Sequence, residues 1–107
     1  MGTSEFMLFV KRGCAACELA QPVIRALAAE GARVYSQNDP AFPSGAAVID
    51  DSELEQSFRN DIETVPTLIR LENGREVART VGWVRDEWRK ITGRPALGED
   101  LPPQRPG

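Results

Sequence analysis

Hydrophobic positions along the chain follow two alternating rhythms. Residues 6–10, Phe-Met-Leu-Phe-Val, form an unbroken apolar run closed by Lys11, Arg12 and Gly13, as in a strand buried on both faces. Beyond Cys14 the period lengthens. Leu19, Val23, Ile24 and Leu27 recur at helical spacing, while Glu18, Gln21 and Arg25 fill the outer side. Alanine-rich composition suits this helix, and Gly31 stands where a left-handed C-terminal cap belongs. Pro22 falls inside it and predicts a kink, because proline deletes one intrahelical hydrogen bond.

A second strand is expected over residues 32–37, centred on Val34 and Tyr35, before a proline-containing loop over 38–45. Residues 46–49 read either as an extra strand or as the true second core strand, and the pattern does not choose between them. Ser52 and Glu55 have capping-box spacing, and Leu54 and Phe58 share one face of the helix that such a box would open. Thr67 to Glu72 and Arg75 to Val81 flank Asn73-Gly74, the two-residue signal for a tight hairpin. Val84, Trp88 and Ile91 then mark one face of a last short helix ended by Gly93 and Pro95. Trp88 is expected in the core, and Trp83 either there or on the rim of an active surface. A right-handed crossover makes the first two strands parallel, and the hairpin extends the sheet in antiparallel fashion. The fold class expected is therefore α/β, a central mixed sheet of four to five strands with helices on both faces.

At 107 residues the chain is long enough for one ordinary domain, and 41% hydrophobic with 27% charged residues is a globular composition. The formal charge of −3 leaves no electrostatic footprint for nucleic acid or anionic lipid, and the apolar runs are far too short for a membrane span. Neither partner is expected. Histidine is absent, which removes Ser-His and Cys-His catalysis and imidazole metal ligands. Residues 1–5 lack the basic and apolar stretches of a signal peptide and read as residues left by cloning or a disordered start, with Met7 as the native start. A cytoplasmic location is the default expectation. Residues 6–93 are assigned to the domain and residues 94–107, rich in proline and glycine, to an extended tail.

The chemistry concentrates in Gly13-Cys14-Ala15-Ala16-Cys17, where the first strand hands over to the first helix. A spacing of three puts both sulfurs on one side of the first turn, within bonding range. Unpaired backbone N–H groups at the helix start favour the thiolate of Cys14, and the side chains of Lys11 and Arg12 add to this if they turn toward the sulfur. Cys17, one turn further in, is the natural resolving thiol. As a structural staple the pair would close a loop of four residues, worth only about 2 kcal/mol. As a zinc site it lacks partners, since a tetrahedral centre needs four ligands, so no metal or other cofactor is expected. A metal or iron–sulfur cluster bridging a dimer is the alternative.

Several features recur together: a strand before CxxC, Pro22 five residues past Cys17, Thr64-Val65-Pro66-Thr67 opening a strand, the Asn-Gly hairpin, and Val81-Gly82 before the last helix. Together they resemble the thioredoxin superfamily over roughly residues 6–92. The resemblance implies a thioredoxin-like fold in which the proline matching Pro66 is cis and faces the cysteine pair. It further implies that Val65 offers backbone hydrogen bonds to an extended substrate, with Gly82 beside it. The departures are specific. Thioredoxins proper carry Trp-Cys-Gly-Pro-Cys; a buried Asp that helps deprotonate the second cysteine is replaced by Leu8, and its lysine partner aligns near Ala47. Glu18 is left as a substitute proton acceptor or as an exposed helix charge. The Gly-Gly glutathione contact of glutaredoxins is not matched by Val81-Gly82-Trp83.

The expected activity is thiol–disulfide oxidoreduction through the Cys14/Cys17 pair, in a monomer acting on a protein or small-molecule disulfide with an unspecified electron donor. Cys14 is the expected nucleophile and Cys17 the resolving thiol, Val65, Pro66 and Gly82 contact substrate, and Arg12 and Glu18 modulate. The competing expectation is a non-catalytic binding domain that keeps the fold.

Overall fold

The computed structural model describes residues 4–107. Along the chain run β1 (Ser4–Val10), α1 (Ala15–Leu19), α2 (Gln21–Ala29), β2 (Arg33–Ser36), β3 (Val48–Asp50) and α3 (Glu55–Arg59). They are followed by β4 (Thr67–Glu72), β5 (Arg75–Val81), β6 (Trp83–Val84), α4 (Arg85–Thr92) and β7 (Gln104–Arg105). Five strands form one mixed sheet in the order β3-β2-β1-β4-β5. Its centre is β1, where Leu8 lies opposite Val34 of the parallel neighbour β2 and opposite Leu68 of the antiparallel neighbour β4. The expected mixed α/β sheet is present, with five strands.

Residues 32–37 and 46–49 both yield strands, and burial separates their roles. Val34, Tyr35 and Ser36 of β2 are buried between neighbours, whereas Ile49 and Asp50 of β3 are exposed at the sheet edge. The hairpin forms where expected, with φ of 54° at Asn73 and 80° at Gly74, the pair of positive angles that a type I′ turn requires. β1 already begins at Ser4, so residues 4 and 5 belong to the sheet, and Arg33 pairs with Glu5 at 3.3 Å. Of the start expected to be disordered or left by cloning, residues 1–3 lie outside the described residues.

Strand alternation divides the interior in two. Leu8, Val10, Val34 and Leu68 point to one face, where they meet Cys17, Ala20, Val23, Ile24 and Leu27 of the α1–α2 segment and Trp88 and Ile91 of α4. Met7, Phe9, Tyr35 and Ile69 point to the other, a smaller cluster completed by Ile62. Phe9 and Tyr35 stack there with ring centroids 4.8 Å apart. Each fully buried aliphatic side chain contributes roughly 1.5–3 kcal/mol, so the first face carries most of the hydrophobic stabilisation.

Three expectations are corrected. Pro22 does not kink one long helix; the helix stops at Leu19 and restarts at Gln21, with Pro22 in the first turn of α2, where a missing N–H costs little. The carbonyl of Glu18 receives the side-chain amide of Gln21 at 3.2 Å. The expected box of Ser52 and Glu55 is also replaced: Asp51 is the buried cap, accepting from Gln56 N (2.9 Å), Ser57 N (2.9 Å) and Ser57 Oγ (2.6 Å). Ser52 instead turns its hydroxyl to Asp50. Leu54, at φ 60°, precedes α3, and both it and Phe58 face solvent.

The third correction concerns residues 94–107, which wrap back on the domain. Leu97 is buried in the main cluster, the Trp83 indole donates to Pro102 O at 2.7 Å, and Arg85 N donates to Pro103 O at 2.9 Å. β7 then pairs antiparallel with β6, Arg105 opposite Trp83 and Gln104 opposite Val84. Proline-rich sequence is compatible with this course because the acceptors are carbonyls, which proline retains.

Candidate functional site

The site begins where β1 ends. Gly13, at φ 90°, turns the chain out of the sheet, a backbone angle that disfavours any other residue. Cys14 N donates to Lys11 O at 3.3 Å, and Cys14 becomes the N-cap of α1 with extended backbone angles. Its sulfur does the work that a Ser or Asp oxygen does at other helix starts: Cys17 N donates to Cys14 Sγ at 3.2 Å. On the opposite side the Cys14 thiol reaches Val65 O at 3.4 Å. Cys14 is half-buried and Cys17 fully buried, and both are free thiols.

Cys17 lies within the main apolar cluster alongside Leu8, Ala16 and Ala20. Burial pushes its thiol far above the ordinary value near 9, and its hydrogen bond with Cys14 adds to the effect. Leu8, in the place where the resemblance would put an acidic side chain, offers no proton acceptor. Glu18 is turned away from this role, since its Oε2 accepts from Gly13 N at 2.8 Å. That contact closes the loop between strand and helix in the manner of a capping box displaced by one residue.

Arg12 also faces elsewhere. Its guanidinium pairs with Asp39 and lies 5.4 Å over the Phe42 ring, while its backbone exchanges hydrogen bonds with the Asn38 amide at 2.9 and 3.0 Å. The Ala41 N–H and the Arg12 side chain hold the Asp39 carboxyl below its usual range. The pair thus fastens the loop after β2 to the loop that carries Cys14.

The third wall is the turn into β4. The Val65–Pro66 peptide is cis, as is Phe42–Pro43. Pro66 is buried, its carbonyl accepts from Gly82 N at 2.7 Å, and Thr67 Oγ1 donates to Thr64 O at 2.5 Å. Gly82 has φ 77°, and its own carbonyl accepts from the Trp88 indole at 3.0 Å. Trp83 is fully buried and meets Trp88 edge-on at 5.0 Å, which places it in the core rather than on a rim. Cys14, Cys17, Val65, Pro66 and Gly82 are therefore joined through a short chain of contacts, with Arg12 and Glu18 committed to neighbouring backbone and loop partners. Among the described residues no group of three or more Cys, Asp or Glu is arranged to hold a metal ion, and no helix is long and apolar enough to cross a membrane.

The α/β domain thus sets its CxxC pair at the head of a helix against the backbone of a Val-Pro turn. Its fold matches solved structures across most of the chain. StoA from Bacillus subtilis superposes with a TM-score of 0.61 at 16% identity, over 84% of this chain and 82% of that one. Fasciola hepatica thioredoxin gives 0.60 at 21% identity, over 85% and 80%. The Nicotiana alata thioredoxin NaTrxh gives 0.57 at 27% identity, over 81% and 68%. No protein-family model and no curated protein matches the sequence. Its fold is thioredoxin-like, a five-stranded mixed sheet with helices shared with these solved structures.

Sequence reasoning missed two parts of this site. The Arg12–Asp39 pair joins residues 27 apart, a separation that periodicity does not report. The second is residues 104–107, whose composition signals a tail and whose structure brings them to Gly82 and Val65.

Proposed function

We propose that the chain is a thiol–disulfide oxidoreductase that transfers electrons through Cys14 and Cys17. The observation that carries this reading is the placement of Cys14 Sγ between Cys17 N and Val65 O, with the Cys17 thiol buried directly behind. The Cys14 thiolate attacks one sulfur of a substrate disulfide, the substrate S–S bond breaks, and the first product leaves as a thiolate that takes a proton from water. A mixed disulfide now joins Cys14 to the remaining half. The Cys17 sulfur attacks Cys14 Sγ, its proton leaves with the departing substrate thiol, and a Cys14–Cys17 disulfide forms. Two electrons pass from the dithiol to the substrate, and the reverse sequence oxidises a substrate dithiol. Since neither Leu8 nor Glu18 takes the Cys17 proton, the second step gains speed with rising pH. Val65 and Pro66 form the floor on which the disulfide docks, and the substrate is a protein or small molecule carrying one.

The test is turnover of a disulfide with a small dithiol as electron source. Cys14→Ser is expected to fall to the uncatalysed background, and Cys17→Ser to accumulate a mixed disulfide visible by mass. Full activity in Cys14→Ser would remove this function.

A further inference from the structure

Residues 101–107 read Leu-Pro-Pro-Gln-Arg-Pro-Gly. Three prolines favour an extended course and lower the entropy lost on ordering it. The first part of the segment is anchored: Arg85 Nη1 donates to Leu101 O at 2.9 Å, Trp83 Nε1 to Pro102 O at 2.7 Å and Arg85 N to Pro103 O at 2.9 Å. The second part is not. Residues 104–107 are all exposed and held by the two-residue ladder of β7 on β6. This short stretch nevertheless runs past Gly82 to Val65. A β-carbon at Gly82 would lie 3.1 Å from Gly107 N and 3.4 Å from Arg105 O, so the segment crosses Gly82 at backbone contact distance. A β-carbon at Gly107 would collide with the Val65 carbonyl oxygen and approach Thr64 Cγ2 to 2.6 Å. That carbonyl is the same one the Cys14 thiol reaches, at 3.4 Å.

We propose that residues 104–107 act as a built-in occupant of the peptide-docking ground beside Cys14, selecting for small disulfides over extended polypeptide ones until the segment is displaced. The inference rests on the oxidoreductase reading for its consequence in turnover, though not for the occlusion itself. An extended substrate lying along Val65 and Gly82 needs the volume that Arg105, Pro106 and Gly107 fill, and two backbones cannot share it. A compact disulfide approaching Cys14 from solvent needs much less of that volume. With few bonds and no buried side chain, the stretch opens at low free-energy cost, as binding-site elements commonly do.

A chain ending at Pro103 keeps every anchor and removes the occupant. In the reduced protein, alkylation of Cys14 is followed by mass with iodoacetamide and with a bulky polyethylene-glycol maleimide, and kcat/KM is measured for a disulfide-bonded peptide and for bis(2-hydroxyethyl) disulfide. The bulky reagent and the peptide are expected to gain about tenfold, as when about 1.4 kcal/mol of competition is removed. Both small reagents should change less than about twofold. Gly107→Val in the full chain, which drives the segment off Val65 by collision, should reproduce the gain if shortening disturbs folding. Equal bulky-reagent rates in all forms overturn the proposal. A labelling gain without disulfide exchange in any form keeps the occlusion and removes the oxidoreductase reading instead.

Discussion

The two faces of the sheet are built on different principles. On the face covered by α1, α2 and α4 the interior is almost wholly apolar, from Leu8 and Val34 through Ile24 and Leu27 to the pair Trp83 and Trp88. On the face toward α3 the apolar cluster is small, and order comes from a buried polar relay in which Asp51 holds Ser57 and the start of α3 while Gln37 Nε2 donates to Ser57 Oγ at 2.8 Å. Cys17 belongs to the first face. A buried thiol whose burial keeps it protonated is thus set in the more apolar of the two faces. The polar face carries an exposed Phe58.

The largest effect that tests this contrast is truncation on the apolar face. Trp88→Ala removes a fully buried ring together with its bond to Gly82 O, and a loss of about 3–5 kcal/mol is expected in denaturant unfolding. Phe58, 85% exposed, provides the opposite pole: Phe58→Ala should stay within about 0.5 kcal/mol of the parent. Comparable losses in the two variants would show that the faces share the load.

Next in size is the polar relay. Asp51→Ala leaves Gln56 N, Ser57 N and the Ser57 hydroxyl without their acceptor, two of these bonds being buried, and should cost about 1–3 kcal/mol. Asp51→Asn keeps one acceptor oxygen and should fall between the parent and the alanine variant. Parent stability in Asp51→Ala would mean that α3 needs no such cap, and the contrast between the faces would lose its second half.

These same two faces separate what the sequence made legible from what it did not. β1, the Asn-Gly hairpin and α4 each carry their signal within a few neighbouring residues, so apolar alternation, turn chemistry or helical spacing suffices to find them. The CxxC pair is equally local. Asp51 is different: it sits in a run of Asp50, Asp51 and Ser52 with similar capping propensity, and only the tertiary position of Ser57 decides which of them is buried. Leu54 and Phe58 have helical spacing, yet α3 lasts only five residues and turns Ser57 inward instead. The segment after Gly93 escaped for a related reason. Its anchors are carbonyl oxygens of Leu97, Leu101, Pro102 and Pro103, and a backbone acceptor leaves no mark in the residue pattern.

The last predicted effect is the one tied most closely to the sulfurs, because it asks whether the apolar face holds Cys17 protonated. Below pH 9 the thiol carries its proton in both the folded and unfolded chains, and its titration leaves stability unchanged. Above that value the unfolded chain releases the proton while burial keeps it on folded Cys17, so the unfolded state gains free energy relative to the native one. Stability should therefore fall with rising pH by about 1.4 kcal/mol per pH unit, until the raised folded value is reached. Cys17→Ala lacks the group and retains the backbone N–H that Cys14 Sγ accepts, so its stability should decline less steeply between pH 9 and 10.5 under reducing conditions. The difference between the two slopes isolates Cys17 from every other alkaline titration that both proteins share. Parallel slopes would mean that the thiol ionises as readily inside the fold as outside it, and Cys17 would then lie in a wetter place than the main cluster provides.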